Sequence, residues 1–149
     1  MITDKLLRVS EDQVLTLNAT SAVSTNTIDL SQNRDIGEGE ELFFNFAITT
    51  AVASAATSVT FEIIASDAAD LGTPTVLAST GAIGYASLTL GTNIALPIPP
   101  RVGSLGQRYI GARYTTAGNN SAGAGKVTTD VVMDIQDGKK FYPSGFTVV

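Results

Sequence analysis

The chain has 149 residues, of which 44% are hydrophobic and only 15% charged, and its net charge is −5 at pH 7. It contains neither cysteine nor histidine, which excludes a disulfide framework, thiolate or imidazole metal ligation, and nucleophilic catalysis by Ser-His-Asp or Cys-His sets. The length suits a single domain, long enough to bury roughly 70% of the surface that the unfolded chain exposes.

From the amino terminus onward, Met1-Ile2-Thr3-Asp4-Lys5-Leu6-Leu7-Arg8 has no apolar core of a secretion signal. Residues 1–12 are expected to form a packed terminal arm, with Leu6 and Leu7 as contact residues. Residues 13–18 and 22–30 are weak strand candidates. Residues 42–50 alternate cleanly: Leu42, Phe44, Phe46 and Ile48 share one face, opposite Phe43, Asn45, Ala47 and Thr49. Such a period of two marks a strand with one wall on a core and one wall wet. Residues 51–56, Ala-Val-Ala-Ser-Ala-Ala, read as an Ala-rich hairpin loop, with a short helix as the alternative. In residues 58–66, Val59, Phe61, Ile63 and Ala65 face opposite Thr60, Glu62 and Ile64.

Residues 75–79, 86–90 and 93–97 are further weak strands, separated by a turn at residues 81–84. Pro97, Pro99 and Pro100 end the last of them, because proline cannot donate to a ladder. In residues 109–115, Ile110, Ala112 and Tyr114 oppose Tyr109, Gly111 and Arg113. In residues 126–137, Val127, Thr129, Val131, Met133 and Ile135 oppose Thr128, Asp130, Val132 and Asp134. The expected core is Phe44, Phe46, Ile48, Val59, Phe61, Ile63, Ile110, Val131 and Met133. Many short strands and no helix of three turns predict an all-β, jelly-roll-like sandwich of about eight or nine antiparallel strands, one domain over residues 1–149.

Chemistry-bearing motifs are scarce. The stretch Gly118-Asn119-Asn120-Ser121-Ala122-Gly123-Ala124-Gly125-Lys126 lacks the lysine a phosphate loop needs after its second glycine, and reads as a hairpin loop. Asp130 and Asp134, on one strand face, stand about 13 Å apart at ~3.3 Å per residue, too far for a glycosidase pair at roughly 5–9.5 Å; both are expected to be solvated. The acidic loops with Asp35, Glu38, Glu40 and Glu41, and with Asp67 and Asp70, lack the ligand spacing of a calcium loop. No metal, cofactor or catalytic residue is expected. Tyr109 and Arg113, beside Arg108 and Tyr114, form a possible contact surface, Tyr and Arg being favoured anchors; the alternative is a core Tyr114 with solvated arginines. Residues 1–100 carry three bases and eleven acids (3 − 11 = −8), whereas residues 101–149 carry six bases and three acids (6 − 3 = +3). This dispersed charge argues against nucleic acid as a direct partner, and no run of ~18 apolar residues is available to span a bilayer.

The carboxyl end, Phe141-Tyr142-Pro143-Ser144-Gly145-Phe146-Thr147-Val148, is apolar and aromatic where a solvated tail would be charged. Residues 138–149 are therefore expected to be a second packed arm, with Phe141, Tyr142, Pro143 and Phe146 as contact residues.

Met1-Ile2-Thr3-Asp4-Lys5, Thr27-Ile28-Asp29-Leu30 leading into Arg34-Asp35-Ile36-Gly37-Glu38-Gly39, the run from Ser66-Asp67 to Pro74-Thr75-Val76-Leu77-Ala78-Ser79, Arg108-Tyr109, and the ending Tyr142-Pro143-Ser144-Gly145-Phe146-Thr147-Val148 appear in that order. With them the chain resembles the small jelly-roll cement (decoration) proteins of tailed double-stranded DNA bacteriophages. The resemblance covers nearly the whole chain. It implies a non-enzymatic protein of the virion exterior, made in the host cytoplasm, that forms a symmetric homo-oligomer, dimer or trimer, and bridges subunits of the major capsid protein. The competing reading is a carbohydrate-binding sandwich of a phage tail or adhesin, which would need an exposed aromatic platform; the chain has four tyrosines and no tryptophan.

Overall fold

The computed structural model describes residues 4–15, 20–37, 39–118 and 125–133. Nine strands follow in order: β1 (Arg8–Val14), β2 (Ser21–Val23), β3 (Ile28–Asp29), β4 (Phe43–Thr50), β5 (Ala56–Ser66), β6 (Thr75–Gly84), β7 (Asn93–Pro97), β8 (Tyr109–Gly118) and β9 (Lys126–Val132). They form a four-stranded sheet, β1-β9-β4-β7, and a second sheet, β2-β8-β5-β6, with β3 also on β8. Every pairing is antiparallel.

This order is a jelly roll, and it has a simple origin. With β2 and β3 taken as one interrupted strand, the first strand pairs with the last, the second with the second-last, β4 with β7 and β5 with β6. The chain is one long hairpin whose tip lies between β5 and β6, rolled up so that β9 also meets β4 and β8 also meets β5. Rolling leaves two sheets with facing apolar walls.

Alternation supplies those walls. Phe44, Phe46 and Ile48 of β4, Val59, Phe61 and Ile63 of β5, and Ile110, Ala112 and Tyr114 of β8 are all buried. The rings of Phe46 and Phe61 have centroids 5.2 Å apart, and Tyr114 stands edge-on to Phe46 at 6.2 Å, within the favoured range for aromatic pairs. The Tyr114 hydroxyl bridges the sheets. It lies 2.7 Å from Ser10 Oγ and 2.8 Å from Thr129 Oγ1, and Ser10 Oγ donates to Gln13 Oε1 at 2.7 Å. The chain of donors therefore runs Thr129, Tyr114, Ser10, Gln13, with the Gln13 amide held by donating from Nε2 to the Val23 carbonyl at 2.8 Å. Burial pushes the Tyr114 pKa up to about 12.

The walls turned away from the core are less wet than the alternation predicts. On the four-stranded sheet, Asn45 is fully buried and Asp130 is 3% exposed. The expectation of a solvated Asp130 is thus corrected: Arg8, opposite it on β1, donates from Nε to its Oδ1 at 2.8 Å. Asp134 lies outside the described residues. On the other sheet, Ile64 is buried because the hairpin tip folds back over it. Leu71, 2% exposed, reaches down to Gly111, where a Cβ would stand 2.5 Å from its Cδ1. Leu71 holds this position at φ 56, a strained backbone for a leucine.

Other expectations also change. Met133 is 63% exposed rather than inward, because β9 ends at Val132 and its alternation stops there. The first strand runs Arg8–Val14 rather than residues 13–18, so part of the expected amino-terminal arm is sheet. Residues 81–84 belong to β6, not to a turn. Residues 86–90 make no strand: Tyr85–Ser87 is a one-turn 3-10 helix that drops Leu88 into the core. Residues 51–55 hold no helix and lead through a turn into β5.

Candidate functional site

Three exposed apolar side chains, Leu6, Leu7 and Met133, stand at one end of the four-stranded sheet, whereas others such as Leu90 and Leu105 are exposed elsewhere. A one-turn 3-10 helix, Lys5–Leu7, precedes β1, and the Asp4 carboxylate caps it by accepting the Leu6 N–H at 2.9 Å. The turn packs beside β9 and leaves Leu6 88% and Leu7 39% exposed. Met133 follows β9 at this end. In the middle of the sheet Phe43 pairs with Val132.

Two shallow cavities open here, sharing Glu40 and Glu41. One, of about 470 Å³, lies between these glutamates, Phe43 and Met133. The other, of about 370 Å³, has an apolar floor that includes Ile36, Leu42, Pro97 and Ile98. Backbone bonds fix the loops that wall it: Ile36 N–H donates to the Pro100 carbonyl at 2.8 Å, and Ile98 N–H to the Leu42 carbonyl at 2.7 Å. The adjoining turn is tight as well, since a Cβ on Gly103 would collide with the Arg34 backbone. Both glutamates are exposed, and neither forms an ion pair among the described residues.

The structure separates the other expected contact residues. Tyr109 and Arg113 lie on β8, on the far sheet from Leu6 and Leu7. Arg113 donates to Glu62 Oε2 at 2.6 Å across the β5–β8 ladder and is paired, with its side chain half-buried. Arg108 grips Asp29 with two bonds of 2.6 and 2.7 Å, and its guanidinium lies 5.0 Å from the centre of the Tyr109 ring. The Arg108 hydrogen bonds hold the Asp29 carboxyl below the usual carboxylate range, and the same bonds raise the Arg108 pKa. Phe141, Tyr142, Pro143 and Phe146 lie outside the described residues.

The sequence did not single out Phe43 as part of a site. Its period-two position marked an outward wall, but nothing local announces that Glu40 and Glu41, grouped with an acidic loop, stand between two apolar hollows. Among the described residues no three acidic, His or Cys side chains come together to hold a metal. No helix in them is long and apolar enough to cross a membrane. What this end of the molecule offers chemically is contact: apolar area with an acidic rim.

No curated protein matches the chain. The Bbp16 family model matches residues 9–131, from the second residue of β1 to the penultimate residue of β9, and so takes in all but the edges of the sandwich. The name suggests a phage-related protein, and with most of the sequence covered, the chain belongs to the Bbp16 family.

Proposed function

We propose that the chain is a structural, non-enzymatic protein of a bacteriophage virion, a cement protein that sits on the outside of the head and bridges major capsid subunits. The observation that carries this reading is the cluster of Leu6, Leu7 and Met133, exposed at one end of a closed sandwich. Large apolar side chains that stay in water at one place mark a surface that associates. The resemblance to phage cement proteins and the phage-related family name support it. Repetition around a symmetry axis turns modest contacts into strong attachment, so the working form is a symmetric homo-oligomer. The carbohydrate-binding alternative is weaker: the Arg108 guanidinium lies over the Tyr109 ring.

The test is co-sedimentation with phage heads that lack the protein. The unaltered chain is expected to pellet with heads and to raise the temperature at which they release DNA. Leu6→Asp with Met133→Asp should keep its melting temperature and lose most of the binding. No binding by the unaltered chain, or full binding by the doubly substituted one, would overturn the proposal.

A further inference from the structure

The two sides of the sandwich are closed unequally. On one side β1 is laced to the segment that holds β2 and β3. There Asn26 N–H donates to the Val9 carbonyl at 2.9 Å, and Gln13 Nε2 to the Val23 carbonyl at 2.8 Å. On the other side β6 and β7 end their sheets, and among the described residues no hydrogen bond joins them. The apolar cavity of about 370 Å³ opens in this seam, since Ala78 of β6 and Pro97 of β7 line it together with Leu42 and Ile98. We propose that the seam seats an extended segment of a partner protein, with an apolar side chain in the cavity and lysine or arginine beside it on Glu40 and Glu41. The proposal rests on the reading of this end as a contact surface and adds the chemistry of what it contacts.

Charge, space and backbone select that occupant. Glu40 and Glu41 stand exposed on the cavity rim and form no ion pair among the described residues. They attract cationic side chains and repel acidic ones. The space comes from Ala78, which packs against the core opposite Ile63 and brings only a methyl group to a wall of the cavity. The backbone comes from β6, which runs 10 residues without a charge or a proline, the devices that commonly guard an edge. The other edges carry such guards or are short. β1 holds Arg8, Glu11 and Asp12, β2 and β3 have 3 and 2 residues, and β7 ends at Pro97 with Pro99 and Pro100 behind it. Two register shifts bend β6 against β5, so an added ladder is short and the side chains supply the preference.

The probe is fluorescein-labelled Gly-Lys-Lys-Val-Ile-Val-Gly, read by anisotropy against the full-length protein. The controls are Gly-Glu-Glu-Val-Ile-Val-Gly and Gly-Lys-Lys-Ser-Asn-Ser-Gly. The probe is expected to bind at least about tenfold more tightly than either control. Glu40→Lys with Glu41→Lys should reverse the preference between the lysine and glutamate peptides at an unchanged melting temperature. Ala78→Leu should fill the cavity from within, weaken the probe about tenfold and leave the melting temperature unchanged or higher. Equal binding of the three peptides, a preference unmoved by the charge reversal, or full binding by a folded Ala78→Leu protein would overturn the proposal. So would a dimer of the unaltered chain that separates on the charge reversal, since a second copy would then hold the seam. The measurement uses no phage heads. Peptide recognition without head binding would sink only the head reading, and head binding without peptide preference only this one.

Discussion

At the scale of the residue, Tyr114 shows what one hydroxyl does between two sheets. Tyr114→Phe removes the bridge to Ser10 and Thr129 and is expected to cost about 1–3 kcal/mol, read by urea denaturation. The pH dependence has a definite sign. The folded-state pKa is about 12, against about 10 in the unfolded chain, so the unfolded chain gives up this proton first. The tyrosine's contribution is intact below pH 10 and lost as pH rises towards 12, by at most about 3 kcal/mol. The Phe variant should lack this alkaline loss. Asp130 carries a sharper constraint. Arg8→Met leaves a carboxylate whose side chain is 4% exposed without its cation, an error worth about 3–5 kcal/mol, and pairing it with Asp130→Leu should recover most of the loss. Phe61→Ala, at the centre of the ring cluster, is expected to cost about 3–5 kcal/mol; a loss below about 1 kcal/mol would reverse the assignment of its face.

At the scale of the element, the hairpin tip and its seat form one unit. Gly111 is bare because Leu71 and the Ser24 hydroxyl occupy the space of its side chain. Gly111→Ala should destabilise the fold by about 1–3 kcal/mol through overpacking, and Leu71→Ala should partly rescue it; additive losses in the double variant would show that the two do not meet. The same elements show how far the sequence could be read. Residues 42–50 and 58–66 were legible because each alternates over four or more positions against a single core. The split of the second strand into β2 and β3 was not, since two and three residues carry no period. Residues 86–90 failed because a one-turn 3-10 helix also places one buried leucine among exposed neighbours. Asp130 failed because its partner is 122 positions away, and Met133 failed because the period does not say where a strand stops. Of the contact residues, the sequence could mark Leu6 and Leu7 as apolar. It could not place them beside Met133, which depends on the pairing of the first strand with the last.

At the scale of the whole molecule, that pairing dominates. The closing contacts join residues 8–14 to residues 126–130, so most native order depends on distant encounters. Refolding is therefore expected on the millisecond-to-second scale, as in other non-local β topologies, and a microsecond phase restoring full near-ultraviolet dichroism would contradict the topology. The same seam has a consequence during synthesis. β9 lies between β1 and β4, so the four-stranded sheet has no centre until residue 132 has left the ribosome, whatever has emerged before. Until then β1 has no ladder partner and β4 lacks one of its two. A product truncated before Lys126 leaves β1 without a partner and β4 with an open edge, with apolar residues behind it. Translation that stops early is thus a direct source of aggregation.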